Sequence, residues 1–165
     1  MIRKFYCLLD KKALLILLIA LIVSPTLCGK NTYTICLIYS HYLTVYLNNI
    51  YLLVVYQYIS RLNAIDSLLI TRIGEDKFYT YSYLTLMSTG VLYNIIIYIS
   101  YYFFFGNIPY DFIALTVIFM ILNIVINGIE NNIIYLQIGQ KKNFAYLAIP
   151  IIINFMFHIL FTALF

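Results

Sequence analysis

Residues 80–105 read TYSYLTLMSTGVLYNIIIYISYYFFF, and no charged side chain interrupts them. A helix needs about 20 predominantly apolar residues to cross a bilayer, and this run exceeds that. It shows no strand-like alternation of apolar and polar positions. In lipid the backbone must satisfy its own hydrogen bonds, and a helix does so within one segment. The stretch therefore predicts a membrane-crossing helix.

Similar runs lie on both sides. Downstream, Gly106, Asn107 and Pro109 predict a tight turn. A fourth run covers 111–127, with an extension by a bent helix to Ile138 as a variant. Gln137 to Asn143 is a polar, basic break, and a fifth run covers 144–165. Upstream, 35–58 is apolar but carries Ser40, His41, Thr44, Asn48 and Asn49. The first run, 13–28, follows the basic start MIRKFYCLLDKK and reads as a retained crossing or a cleaved signal peptide. Leu27 suits a cleavage site poorly, so the retained crossing is preferred. The expected fold is an all-α polytopic membrane bundle of about five helices. It forms a single transmembrane domain over 1–165, with an inner loop at 59–79.

Composition agrees. Hydrophobic residues make up 64% of the 165 residues and charged residues 10%. Soluble domains run roughly 45–50% apolar and about 25% charged. Mean hydropathy is +0.95. These values exclude a disordered chain and an ordinary soluble enzyme.

Orientation follows from Lys and Arg. With the N-terminus inside, Arg3, Lys4, Lys11, Lys12, Arg61, Arg72, Lys77, Lys141 and Lys142 all fall on the inner side, and Lys30 alone falls outside. The net charge of +4 suits anionic inner-leaflet lipids. The cations are dispersed rather than gathered in one patch, so no nucleic-acid partner is expected.

The inner segment SRLNAIDSLLITRIGEDKFYT, 60–80, holds half the acids of the chain. Leu62, Ile65 and Leu69 recur at helical spacing, with Leu68 on the same side, so a short helix is expected flat on the inner surface. One reading is a connector whose charges hold topology. The other is a coupling helix that docks on a cytoplasmic ATPase, with Asp66, Arg72, Glu75, Asp76 and Lys77 as contacts.

The basic start, two crossings and an inner loop ending Thr71-Arg72-Ile73-Gly74-Glu75-Asp76-Lys77-Phe78-Tyr79 resemble small ABC-2-type permeases, the membrane subunits of bacterial multidrug and bacteriocin-type exporters. The resemblance spans roughly 1–105 in layout and these nine residues in motif. The family usually has six crossings, where five are read here. The resemblance implies a separate P-loop ATPase and a homo- or heterodimer of membrane subunits. The chain has no GxxxxGK[ST] with which to hydrolyse ATP itself.

Polar residues inside the apolar runs form a second signal. Gly90 and Asn94, Asn123 and Asn127, and Asn154 and His158 are each four apart, so each pair shares a helix face. They read as interhelical packing or as the lining of a substrate path. The acids Asp10, Asp66, Glu75, Asp76, Asp111 and Glu130 fall near the ends of the runs, so no carboxylate is expected at depth. With no HExxH and no GxSxG, no enzyme is expected. Cys7, Cys28 and Cys36 lack metal-ligand spacing, and His41 and His158 are solitary, so neither metal nor cofactor is expected. Proline 150 predicts a kink near Tyr146. Two other readings stand beside the permease: a non-transporting bacteriocin immunity or assembly factor, and a substrate-binding subunit of an uptake system.

Overall fold

A computed structural model describes residues 5–35 and 42–164, with side chains except at 28–35, 42–44, 161, 162 and 164. The described residues are largely helical and contain no strand. Six α-helices follow one another: α1 Lys11–Ile35, α2 Asn48–Ala64, α3 Asp66–Ile73, α4 Glu75–Phe105, α5 Ile113–Tyr135 and α6 Ala145–Leu164. A π-helical turn, Tyr42–Leu47, leads into α2, and a 3-10 turn, Tyr110–Phe112, leads into α5.

Helix α2 is the centre. Nine of its 17 residues are buried, more than one face of a helix can supply, so it is covered on several sides. It packs on α1, α5 and α6, while α4 packs on α1, α3 and α5. Leu52, Tyr58, Ile59 and Leu62 of α2 meet Phe78, Leu86 and Tyr101 of α4, Ile134 of α5 and Leu147 of α6 in one core. The N-terminal segment folds onto the same core: the Phe5 ring lies 6.4 Å from Phe78 and 5.8 Å from Tyr81.

The helices outrun the apolar runs that predicted them. Helix α1 continues through Pro25 to Ile35 instead of ending at 28. Proline at 25 has no N–H for the carbonyl of Leu21. The Ser24 hydroxyl donates to that same carbonyl at 2.7 Å and keeps it satisfied. Helix α5 runs to Tyr135 rather than 127, and a turn follows at 136–140. Pro150 lies inside α6 and is buried.

The expected inner loop is largely helix. Helix α2 extends to Ala64, α3 fills Asp66–Ile73, and α4 begins at Glu75. Two residues interrupt: Ile65 at φ −128°, ψ 10°, and Gly74 at φ 86°. The positive φ suits glycine, which has no Cβ to clash. Glu75 and Asp76 occupy the first turn of α4, where acids complement the helix dipole. The single apolar face expected from Leu62 to Leu69 does not form. Ile65 breaks the helical phase, so Leu62 is fully buried on α2 while Leu68 is 63% exposed on α3. Leu69, Ile70 and Ile73 seat α3 on the core instead.

Two stretches among the described residues are long and apolar enough to cross a membrane: Glu75–Phe105, and Tyr110–Tyr135, which joins the 3-10 turn to α5. A shorter apolar helix covers Ala145–Leu160. Of these two long apolar windows, 39% and 22% are buried. Leu, Ile and Val line the outside of α1, α4, α5 and α6, while Asn, Ser, Thr, Gln and Glu side chains are buried within.

Candidate functional site

Two regions hold the predicted site residues, and they lie in different environments. The first is one end of the bundle. Asp10 caps α1: its Oδ1 accepts the backbone N–H groups of Lys12 at 2.9 Å and Ala13 at 3.3 Å. Arg61, in the last turn of α2, reaches across to Asp10 Oδ2 at 2.6 Å and to the Leu8 carbonyl at 3.1 Å. Asn63 then grips the turn after α5. Its Nδ2 donates to the Gln137 carbonyl at 2.9 Å, and its Oδ1 accepts the Gly139 N–H at 3.1 Å. These contacts bring Lys11, Lys12, Arg61, Lys77, Lys141 and Lys142 to the same end of the fold. The opposite turn, Gly106–Ile113, carries Asp111 and no cation.

Helix α3 and the first turn of α4 project from the cation-bearing end. Arg72, Glu75, Asp76 and Lys77 are exposed, and Asp66 is half-buried at the start of α3. Helix α3 has no buried residue and packs on α4. Its acid lies in its first turn and its arginine in its last, each matched to the helix dipole. The five charged residues thus lie on one short helix-turn-helix segment, seated on the core by Leu69, Ile70 and Ile73.

The second region is a buried polar network around the first turn of α2. Asn48 Nδ2 donates to Glu130 on α5, 3.1 Å from Oε2 and 3.4 Å from Oε1. Asn49 Oδ1 accepts from Asn154 Nδ2 on α6 at 3.0 Å. The Tyr51 hydroxyl meets the Asn131 amide on α5, donating to Oδ1 at 3.1 Å and accepting from Nδ2 at 2.7 Å. Asn131 Nδ2 also reaches the Leu86 carbonyl of α4 at 3.3 Å. The Tyr51 ring stacks on Tyr93 of α4, with centroids 4.4 Å apart and planes 14° apart. One turn of α2 is therefore tied to three neighbouring helices.

Of the predicted polar residues, Asn127, Asn154 and His158 are buried on α5 and α6, and Asn123 is half-buried. Asn154 joins the network. Asn94 is buried but donates to the Gly90 carbonyl of its own helix at 2.9 Å. One acid, expected near the end of its run, is enclosed by the bundle. Glu130 is fully buried, because α5 continues two turns past the point where its apolar run ends. Asn48, Asn49, Tyr51, Glu130 and Asn131 were not among the predicted site residues. A signal for them existed: 123, 127, 130, 131 and 134 recur on one helix face once α5 is extended.

A cavity of about 300 Å³ with almost wholly apolar walls lies between α1, α2 and α4, and Tyr51, Tyr93, Leu17 and Leu21 form part of its lining. The stacked tyrosines thus stand between the cavity and the polar network. No group of three or more His, Cys, Asp or Glu side chains gathers to hold a metal among the described residues. Cys7 is exposed, and the side chains of Cys28, Cys36 and His41 lie outside what is described. Compared with known proteins, the chain matches no family model, no curated protein and no solved structure.

Proposed function

We propose that this chain is a multi-pass membrane protein with its N-terminus on the cytoplasmic side, and that it serves as the membrane-spanning subunit of an ATP-driven exporter. The large apolar side chains exposed along α1, α4, α5 and α6 support the membrane reading, since lipid rather than water must meet such faces. The five crossings would be α1, the π turn with α2, α4, α5 and α6. The gathering of cations at one end supports the orientation.

The exposed charged surface of α3 and the start of α4 carries the transport reading. It offers a separate P-loop ATPase a rigid element with fixed register: Asp66, Arg72, Glu75, Asp76 and Lys77. A push on α3 would pass to α4, on which it packs, and from α4 to α1 and α5. The Tyr93–Tyr51 stack would carry it into α2. Alternating access would follow from such rocking, with two membrane subunits pairing through their apolar outer faces.

A second reading, a bacteriocin immunity or assembly factor, is favoured by a different observation. The polar network ties α2 to three helices at once, which suits a static bundle. A mild-detergent pull-down of the tagged chain from its native membrane, with mass spectrometry, separates the two. A stoichiometric ATPase that disappears when 66–77 is altered supports the exporter. An intact bundle that brings down no ATPase hands the lead to the second reading.

A further inference from the structure

Glu130 is fully buried where α5 meets α2. One amide group, Asn48 Nδ2, supplies both of its hydrogen bonds, and no ion pair to it forms among the described residues. A buried carboxylate without a cation is costly, and several donors are normally needed to hold it. The other half of the same amide is also unsettled: Asn48 Oδ1 is buried with no hydrogen-bond partner among the described residues. Protonation relieves the donor shortage at Glu130, since a neutral carboxyl is far cheaper to bury than a carboxylate. A protonated carboxyl donates its O–H to Asn48 Oδ1 once the amide is turned over, and amide oxygen and nitrogen differ little in shape.

We propose that Glu130 and Asn48 form a proton-binding site inside the bundle. Glu130 holds the proton as a neutral carboxyl bonded to Asn48 Oδ1. On release the O–H bond breaks, the electron pair stays on the carboxylate and the proton leaves to water. The site then returns to the geometry in which Asn48 Nδ2 donates to Oε2. The pair presents only three oxygens, whereas hard cations such as calcium collect six to eight, so the site suits a proton better than a metal ion. The titratable groups around it are Tyr51 from α2 and Tyr93 from α4. Helix α6 contributes the buried His158. Helix α1 has no ionisable side chain from 13 to 27, and Tyr110 and Asp111 are exposed about five turns back along α5. The inference does not depend on the exporter reading, since it concerns the core and not the α3 surface. In a transporter the same site would couple substrate movement to a proton.

The test uses the full chain in lipid nanodiscs, with carbon-13 at the glutamate side-chain carboxyl. The chain has two glutamates, so the exposed Glu75 serves as internal reference. The expected result is two signals that titrate in separate steps. The one lost in Glu130→Gln is a protonated carboxyl at neutral pH and loses its proton in a step of its own. Asn48→Leu should shift that step by at least tenfold in proton concentration. Glu75→Gln assigns the signals if the Glu130 variant does not fold. Two outcomes overturn the proposal: both signals titrating together in acid, or the Glu130 signal responding to sodium at constant pH, which would make the site a metal site.

Discussion

Gly90 of α4 and Asn131 of α5 are so close that a Cβ at position 90 would stand 2.7 Å from Asn131 Nδ2 and 3.2 Å from the Tyr51 hydroxyl. The smallest residue is what lets the Tyr51–Asn131 bond form against the α4 backbone. Small residues commonly play this part where helices approach closely.

Gly90→Ala should therefore push Asn131 aside and cost about 1–3 kcal/mol, the usual range for overpacking. Gly128→Ala is the control, because nothing lies within 4 Å of its Cβ position. Unfolding in mixed micelles should show loss for the first and no loss for the second. Equal stability of both variants would contradict the close approach.

Tyr51→Phe removes a hydroxyl that bonds the Asn131 amide. The expected cost is about 0.6–2 kcal/mol, the range for interhelical polar contacts in membranes. Adding Asn131→Leu should recover part of that loss, since both partners are then apolar. A double-mutant cycle measures the coupling directly, and a coupling near zero would mean the bond contributes nothing.

Asp10 gives a pH dependence with a definite sign. The backbone N–H groups of Ala13 and Lys12, joined by Arg61, hold its carboxyl below the ordinary value of 3.8. A lowered folded value means that the cap stabilises above the unfolded range and is lost as pH falls through the folded value. The amide resonances of Lys12 and Ala13 should shift in acid with a midpoint below 3.8. Asp10→Asn should abolish that step, and Arg61→Ala should move it upward.

Arg72→Glu combined with Lys77→Glu reverses two exposed charges on the proposed docking surface. Membrane insertion should be unchanged, because neither side chain is buried. Co-purification of a partner ATPase and its coupled activity should fall at least tenfold. Full coupling in the double variant would remove the docking surface from consideration.

Much of the fold could be read locally. Apolar runs placed α1, α4, α5 and α6, and the Gly106–Pro109 turn appeared where expected. The ends were harder. Glu75–Lys77 are polar enough to read as loop, yet acids matched to the helix dipole make them the first turn of α4. Helix α5 beyond 127 stood only as a bent variant to Ile138, because Gly128, Glu130 and Asn131 look like the close of an apolar run.

The amino-acid pattern alone determined helical class, helix order and the grouping of cations, since run length and charge are local properties of a chain. It could not say which polar side chains would meet. These helices are apolar nearly all round, so their periodicity does not reveal which face turns inward. That rotation is decided only when helices pack. It is the packing that sets Asn48 against Glu130, and Tyr51 against Asn131, across some eighty residues of chain. Arg61, read as a topology charge, becomes the clasp on Asp10 for the same reason.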